Sequence, residues 1–85
     1  MTMENYDNGT DPVYAMELYQ TKIMEAERHV RWNVYEYKRY GQFCQTPGVR
    51  VKRSQFLRAA NGWRKRSVEY ARVWAIYARK KRAMA

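Results

Sequence analysis

Basic side chains recur every seven residues in the C-terminal half of the chain, at Arg58, Lys65, Arg72 and Arg79. On an α-helix this spacing places them in one row that drifts by only about 20° per heptad, with neighbours about 10 Å apart along the axis. Such a row can neutralise successive phosphates of a nucleic acid. The predicted phosphate-binding residues are these four and their basic neighbours Arg64, Arg66, Lys80 and Arg82.

Charge is distributed unevenly along the chain, which carries a net charge of +9 over 85 residues. Residues 1–27 contain six acidic residues and one lysine, whereas residues 28–85 contain sixteen lysines or arginines and two glutamates. A solvated helix face usually mixes the two signs, as Glu27 and Arg31 do at positions i and i+4. The imbalance predicts an anionic partner: nucleic acid, DNA or RNA, first, and an acidic protein surface second.

Aromatic residues are interleaved with cations at 31–32, 35–40 and 63–66. Rings beside cations can stack on unpaired bases, but helical spacing also suits core packing. Core packing is the favoured interpretation for the rings that share one helical seam, Trp63, Tyr70, Trp74 and Tyr77. Trp32 and Tyr35 are better candidates for an exposed contact with bases or with protein. The predicted protein-interface residues are Tyr14, Leu18, Trp32 and Tyr35.

Side chains that commonly perform catalysis are sparse. His29 is the only histidine, and a solvated or hydrogen-bonded ring is favoured over a general base. Cys44 is the only cysteine, so neither an intramolecular disulfide nor a structural zinc site can form within one chain. The four glycines are too scattered to form a phosphate-binding loop. The sequence therefore predicts a protein that is not an enzyme and has no cofactor, metal or small-molecule substrate.

The first helix is predicted to run from about residue 12 to about residue 40. Asp11 can accept hydrogen bonds from first-turn amides, and Pro12 suits the first helical position. Gly41 is a natural stop. An apolar stripe at helical spacing marks the expected core face, comprising Val13, Met16, Tyr19, Ile23, Val30, Val34 and Tyr37.

The second helix is predicted to run from about residue 54 to about residue 82. Thr46-Pro47-Gly48 is the strongest turn signal, residues 49–52 alternate and could be extended, and Ser54 can cap the helix. Asn61-Gly62 is a weak point, because a mid-helix glycine could mark a kink or a break. The expected seam is Phe56, Ala60, Trp63, Ser67, Tyr70, Trp74 and Tyr77, in alternating steps of four and three.

Together these elements predict an all-α fold: two long antiparallel helices that form a helical hairpin. Residues 1–10 are expected to be a flexible acidic segment, followed by a hairpin domain over residues 11–85 with its turn at about 41–53. A two-helix core is small, so completion by oligomerisation or by other subunits of an assembly is expected. No stretch reaches the ~20 apolar residues of a membrane span.

These features predict a small basic structural protein that binds or packages nucleic acid without strong sequence preference in a nucleoprotein assembly, such as a ribosome-like, chromatin-like or virion-like particle. Alternatives are an accessory subunit of a large protein or membrane-associated complex, whose basic residues meet acidic neighbours or lipid head groups, and a small regulator that masks a basic surface on another protein. With no secretory signal visible, the expected location is intracellular or within a nucleoprotein particle.

Overall fold

The structure is a computed structural model that describes residues 11–84. These residues form two antiparallel helices joined by a short connection. Helix α1 spans Pro12–Tyr40 and helix α2 spans Pro47–Met84. The helices pack against each other along their length, and residues 11–84 contain no strand. The predicted all-α hairpin is confirmed, whereas the predicted flexible segment 1–10 lies outside the described residues.

Helix α1 begins and ends where the sequence indicates. The Asp11 backbone is extended (φ −60°, ψ 124°), and its carboxylate accepts a hydrogen bond from the Val13 amide at 3.0 Å. Pro12 follows at the first helical position, where a missing amide hydrogen costs no helical bond. At the other end the Gly41 amide donates to the carbonyls of Tyr37 and Lys38. The Asp-Pro start and the glycine stop are therefore confirmed.

Helix α2 begins earlier than predicted, at Pro47, so the connection is residues 41–46. The Thr46 hydroxyl accepts a hydrogen bond from the Val49 amide at 3.4 Å, and the Thr46 carbonyl accepts from the Arg50 amide at 3.0 Å. Thr46 thus caps the helix, and Pro47 occupies its first turn. The predictions of an extended segment at 49–52 and of a cap at Ser54 are wrong, because both lie within α2.

Helix α2 passes through Asn61-Gly62 without a break. Its 38 residues correspond to about 57 Å at 1.5 Å per residue, and the longest dimension of the molecule is 58 Å. The second helix is therefore one extended rod that runs the full length of the hairpin. The kink or break considered at Gly62 does not occur.

Replacement of Gly62 by alanine is expected to stabilise the protein. Apart from its chain neighbours and the backbone of its own helix, a Cβ atom added at Gly62 meets no atom within 4 Å, and the backbone there is helical. Because alanine is favoured over glycine inside a helix by about 1 kcal/mol, thermal denaturation followed by circular dichroism should show a Tm increase of about 4–8 °C.

Gly41→Ala is the control for this prediction. An added Cβ would lie 2.7 Å from Nη2 of Arg53, whose guanidinium rests 4.2 Å from the centre of the Tyr37 ring. That side chain would have to move, so the gain in Tm should be smaller than at Gly62. A lower Tm for Gly62→Ala would contradict an unbroken helix at that point.

The seam between the helices combines small residues and aromatic rings from both helices. Ala15, Ala26 and Ala60 are fully buried, and Tyr77 is 1% exposed. All seven predicted seam residues of α2 are buried or half-buried, which confirms that heptad pattern. Inter-helix ring contacts follow the seam: Tyr19 with Tyr70 at 6.1 Å and with Tyr77 at 6.3 Å, His29 with Trp63 at 4.1 Å, and Tyr40 with Phe56 at 5.4 Å.

The predicted core face of α1 is only partly right. The buried positions of α1 are Pro12, Ala15, Ala26, Asn33 and Glu36. The predicted apolar stripe lies to one side of them, with Val13 exposed and its other six members half-buried. Close packing leaves the buried positions mainly to small or locally bonded side chains, while the half-buried Tyr19 contacts Tyr70 and Tyr77 of α2.

The two buried polar side chains of α1 bond within their own helix. Asn33 Nδ2 donates to the His29 carbonyl at 2.7 Å. Both carboxylate oxygens of Glu36 accept from Arg39, at 3.1 and 2.7 Å. Their polar atoms are therefore satisfied without any partner on α2.

Candidate nucleic-acid interface

The four basic residues spaced by seven form a continuous row on the outside of the hairpin. Arg58, Lys65, Arg72 and Arg79 are all exposed and belong to one unbroken helix. The seam of α2 lies on the opposite side of that helix, so the row points away from α1. Three intervals of seven residues give it a length of about 32 Å. We refer to these four residues as the basic row.

The members of the basic row have no counter-charge within the described chain. The only ion pair between two residues of 11–84 joins Arg39 to Glu36. Hydrogen bonding to that carboxylate raises the pKa of the Arg39 guanidinium above its ordinary value. None of the four row residues makes a hydrogen bond, ion pair or ring contact with another residue. No carboxylate of residues 11–84 balances their charges.

The remaining predicted phosphate-binding residues are arranged differently. Arg64 donates to Asn61 Oδ1 at 3.0 Å and lines a cleft towards α1 on one side of the row. Arg66 lies on the other side, with its guanidinium 4.6 Å from the centre of the Trp63 ring. These two side chains therefore flank the basic row rather than extend it.

The cations near the end of α2 also differ from one another. Lys80 is half-buried, with Nζ 5.4 Å from the centre of the Tyr77 ring. Arg82 is exposed in the last turn of the helix, where a positive charge also suits the helix dipole. Arg82 therefore remains accessible at this end of the molecule, whereas Lys80 is held against the core.

A stack of planar groups that sequence reasoning missed lies at the middle of the hairpin. The His29 ring is stacked on Trp63, with centroids 4.1 Å apart and planes 9° apart, and Arg66 approaches the same indole. His29 was expected to be solvated or hydrogen-bonded, and it is both exposed and ring-stacked. Only the register between the helices, which the short connection sets, could have indicated this pairing.

The predicted protein-interface residues are all exposed on α1. Trp32 is 56% exposed and Tyr35 59%, and their rings stack with centroids 6.2 Å apart. Tyr14 and Leu18 are also exposed, nearer the start of the helix. The members of each pair are three or four residues apart and therefore lie side by side. The two pairs are far apart along α1, so they form two small apolar patches rather than one.

Neither a metal-binding group nor a membrane-spanning helix is found in residues 11–84. Residues 11–84 hold no group of three or more His, Cys, Asp or Glu side chains that could bind a metal ion. Neither helix in this range is long and apolar enough to cross a membrane. Comparisons with protein-family models, curated proteins and solved structures find no match. Function must therefore be inferred from the charges and contacts of the hairpin itself.

Proposed function

We propose that this protein binds nucleic acid through its phosphates, without strong sequence preference, as a structural subunit of a nucleoprotein assembly. The observation that supports this proposal is the basic row: four exposed cations at regular intervals on one unbroken helix, with no carboxylate partner within residues 11–84. Evenly spaced cations about 10 Å apart suit the evenly spaced charges of a phosphate backbone.

The charge balance of α2 favours a polyanion over solvent as the partner of this face. Between residues 52 and 82 only Glu69 is acidic, whereas a solvated surface normally interleaves both signs. Cations crowded on one rod repel one another until counter-charge is supplied. A polyanion supplies that charge along the whole row at once, and it releases its own counterions in doing so.

Lack of sequence preference follows from the kind of side chains in the row. Phosphate contacts fix the position of a protein on nucleic acid but carry no base information. The row consists of flexible lysine and arginine side chains that reach outward from one helix.

The exposed apolar patches at Tyr14 and Leu18 and at Trp32 and Tyr35 would contact protein neighbours in the assembly, because exposed aromatic residues are typical of such interfaces.

Binding measured as a function of salt tests the proposal. Nuclease-treated protein is titrated into fluorescent duplex DNA of two unrelated sequences, with anisotropy recorded from about 50 to 200 mM salt. Four phosphate contacts predict a log–log slope of about −3.6 on duplex and about −2.8 on a single strand, with little difference between the sequences. Absence of binding at the lowest salt concentration, or an affinity that does not depend on salt, would refute nucleic-acid binding through the row.

A further inference from the structure

A groove runs along one side of the hairpin, between the two helices. Near its middle is a cleft of about 480 Å³, with Val30 on one wall and Val68 on the other. A second cleft of about 390 Å³ lies between Met16 and Ala78. Met16 and Val30 are two heptads apart on α1, so both clefts open on the same side. We call this side the groove face. Its apolar lining includes Met16, Val30, Val68 and Ala78, and its charged lining is Glu27, Arg31 and Arg64 at the central cleft and Lys81 and Arg82 at the second. Ile23 lies between Met16 and Val30 at the same heptad spacing.

The groove face carries the apolar stripe that the hairpin itself fails to cover. Met16, Ile23 and Val30 are only half-buried, and Val68 is 52% exposed. Meanwhile the buried seam positions of α1 include Asn33 and Glu36. The apolar surface of α1 on this side is thus only half covered in the isolated hairpin, and partly uncovered apolar surface of this kind is typical of interaction sites.

We propose that a second copy of this chain packs its groove face against this one, so that two hairpins form a four-helix bundle. The dimensions of the molecule allow it. The hairpin measures 58 × 23 × 13 Å, so one broad face offers about 1,300 Å², more than the roughly 800 Å² per partner of a standard interface. A two-helix core of this size also supplies little stability alone, and the second copy would cover what remains open.

The charges of the groove face are complementary to those of a second copy. Glu27 lies near the middle of α1 and lines the central cleft together with Arg31 and Arg64, yet it forms no ion pair with either within the hairpin. Two-fold symmetry makes each contact occur twice. When α1 of one copy packs on α2 of the other at this midpoint, each Glu27 carboxylate faces an Arg64 guanidinium across the interface.

Repulsion between the two basic rows favours this arrangement over the other two-fold symmetric arrangement, in which α2 packs on α2. Packing α2 on α2 would bring the two rows to the same edge of the bundle, where their charges repel. Packing α1 on α2 sets the rows on opposite edges, and both remain exposed. The dimer therefore does not rest on nucleic-acid binding, and it leaves the residues proposed for that binding free.

The oligomeric state of the nuclease-treated full chain tests the proposal, by sedimentation velocity at about 150 mM salt. The chain mass is 10.3 kDa, and the wild type should sediment at twice that mass. Val68→Glu should weaken the dimer by about tenfold or more, because it replaces an apolar contact with Val30 by a carboxylate and diverts Arg64, four residues earlier, from Glu27. Ile76→Glu is the matched control. Ile76 is 42% exposed and follows Arg72 by four residues, whereas Val68 precedes it by four. Ile76 therefore flanks the basic row on the side away from the groove face.

A charge exchange provides a second test that does not depend on an apolar site. Glu27→Arg and Arg64→Glu should each weaken the dimer, and the double variant should recover at least about tenfold of the lost affinity. A monomeric wild type, equal effects of Val68→Glu and Ile76→Glu, or no recovery in the double variant would each overturn the proposal. Circular dichroism of each variant establishes that it remains helical. Because no nucleic acid is present, these outcomes are independent of the proposed function.

Discussion

Replacement of Tyr77 by alanine is expected to unfold most of the protein at 25 °C. Tyr77 is the only large side chain that is fully buried within residues 11–84, and its ring stacks with Tyr19 across the seam at 6.3 Å. Removing a buried aromatic ring costs ~3–5 kcal/mol, and a core of this size supplies about the same total. Urea denaturation followed by circular dichroism should show the native baseline shortened or lost.

Tyr77→Phe separates the contribution of the ring from that of its hydroxyl. The phenylalanine keeps the seam filled and removes only the hydrogen-bonding group, so a loss of about 1 kcal/mol is expected. Ala78→Gly would not serve as a control, since it changes helix propensity as well as packing. If Tyr77→Ala still unfolds cooperatively with a midpoint close to that of the wild type, the aromatic seam is not what holds α1 against α2.

Neutralising the basic row is expected to remove most of the affinity for nucleic acid. Substituting Arg58, Lys65, Arg72 and Arg79 with glutamine removes four phosphate contacts in the proposed function. Each contact contributes about 0.9 to the slope on duplex DNA, so the slope should fall in magnitude by about 3.6. At about 50 mM salt the affinity should fall on the order of 100-fold or more. Glutamine is a good helix former, so α2 should persist.

A second variant with the same change in net charge isolates position from overall charge. It replaces four exposed cations outside the row by glutamine: Arg28, Lys38, Arg50 and Lys52. Both variants reduce the net charge from +9 to +5, so long-range attraction weakens equally. Only the row variant should lose the steep salt dependence. Equal losses in the two variants would mean that the spacing of the row has no role and that charge alone attracts the ligand.

The sequence predicted the hairpin because its strongest signals are local. Asp11 and Pro12 define the start of α1 through a side-chain acceptor and a fixed backbone angle, and neither depends on tertiary contacts. The rings of α2 recur with heptad spacing, so their shared side was readable without knowledge of the partner helix. The exposure of the basic row followed from the same periodicity, since it lies opposite those rings.

Features that depend on how the helices meet could not be predicted in the same way. Pro47 after Thr46 is compatible with both a turn and a helix start. In the structure it starts the helix, and the Thr46 hydroxyl caps it by accepting a hydrogen bond from the Val49 amide. The most apolar stripe of α1 was predicted to be its buried seam. The buried positions of α1 instead include Ala15 and Ala26, which lie beside that stripe. The stacking of His29 on Trp63 depends on the inter-helix register, which no pattern within one helix records.

The basic row has no counter-charge within residues 11–84, and this would link the proposed ligand binding to folding. Electrostatic strain among those cations is present only when the rod is formed, because an unfolded chain spreads its charges apart. A polyanion that relieves this strain would bind the folded form more tightly than the unfolded one, and it would raise the free energy of unfolding with the logarithm of its free concentration once that exceeds the Kd. Within such an assembly, the hairpin would owe part of its thermodynamic stability to the molecule it holds.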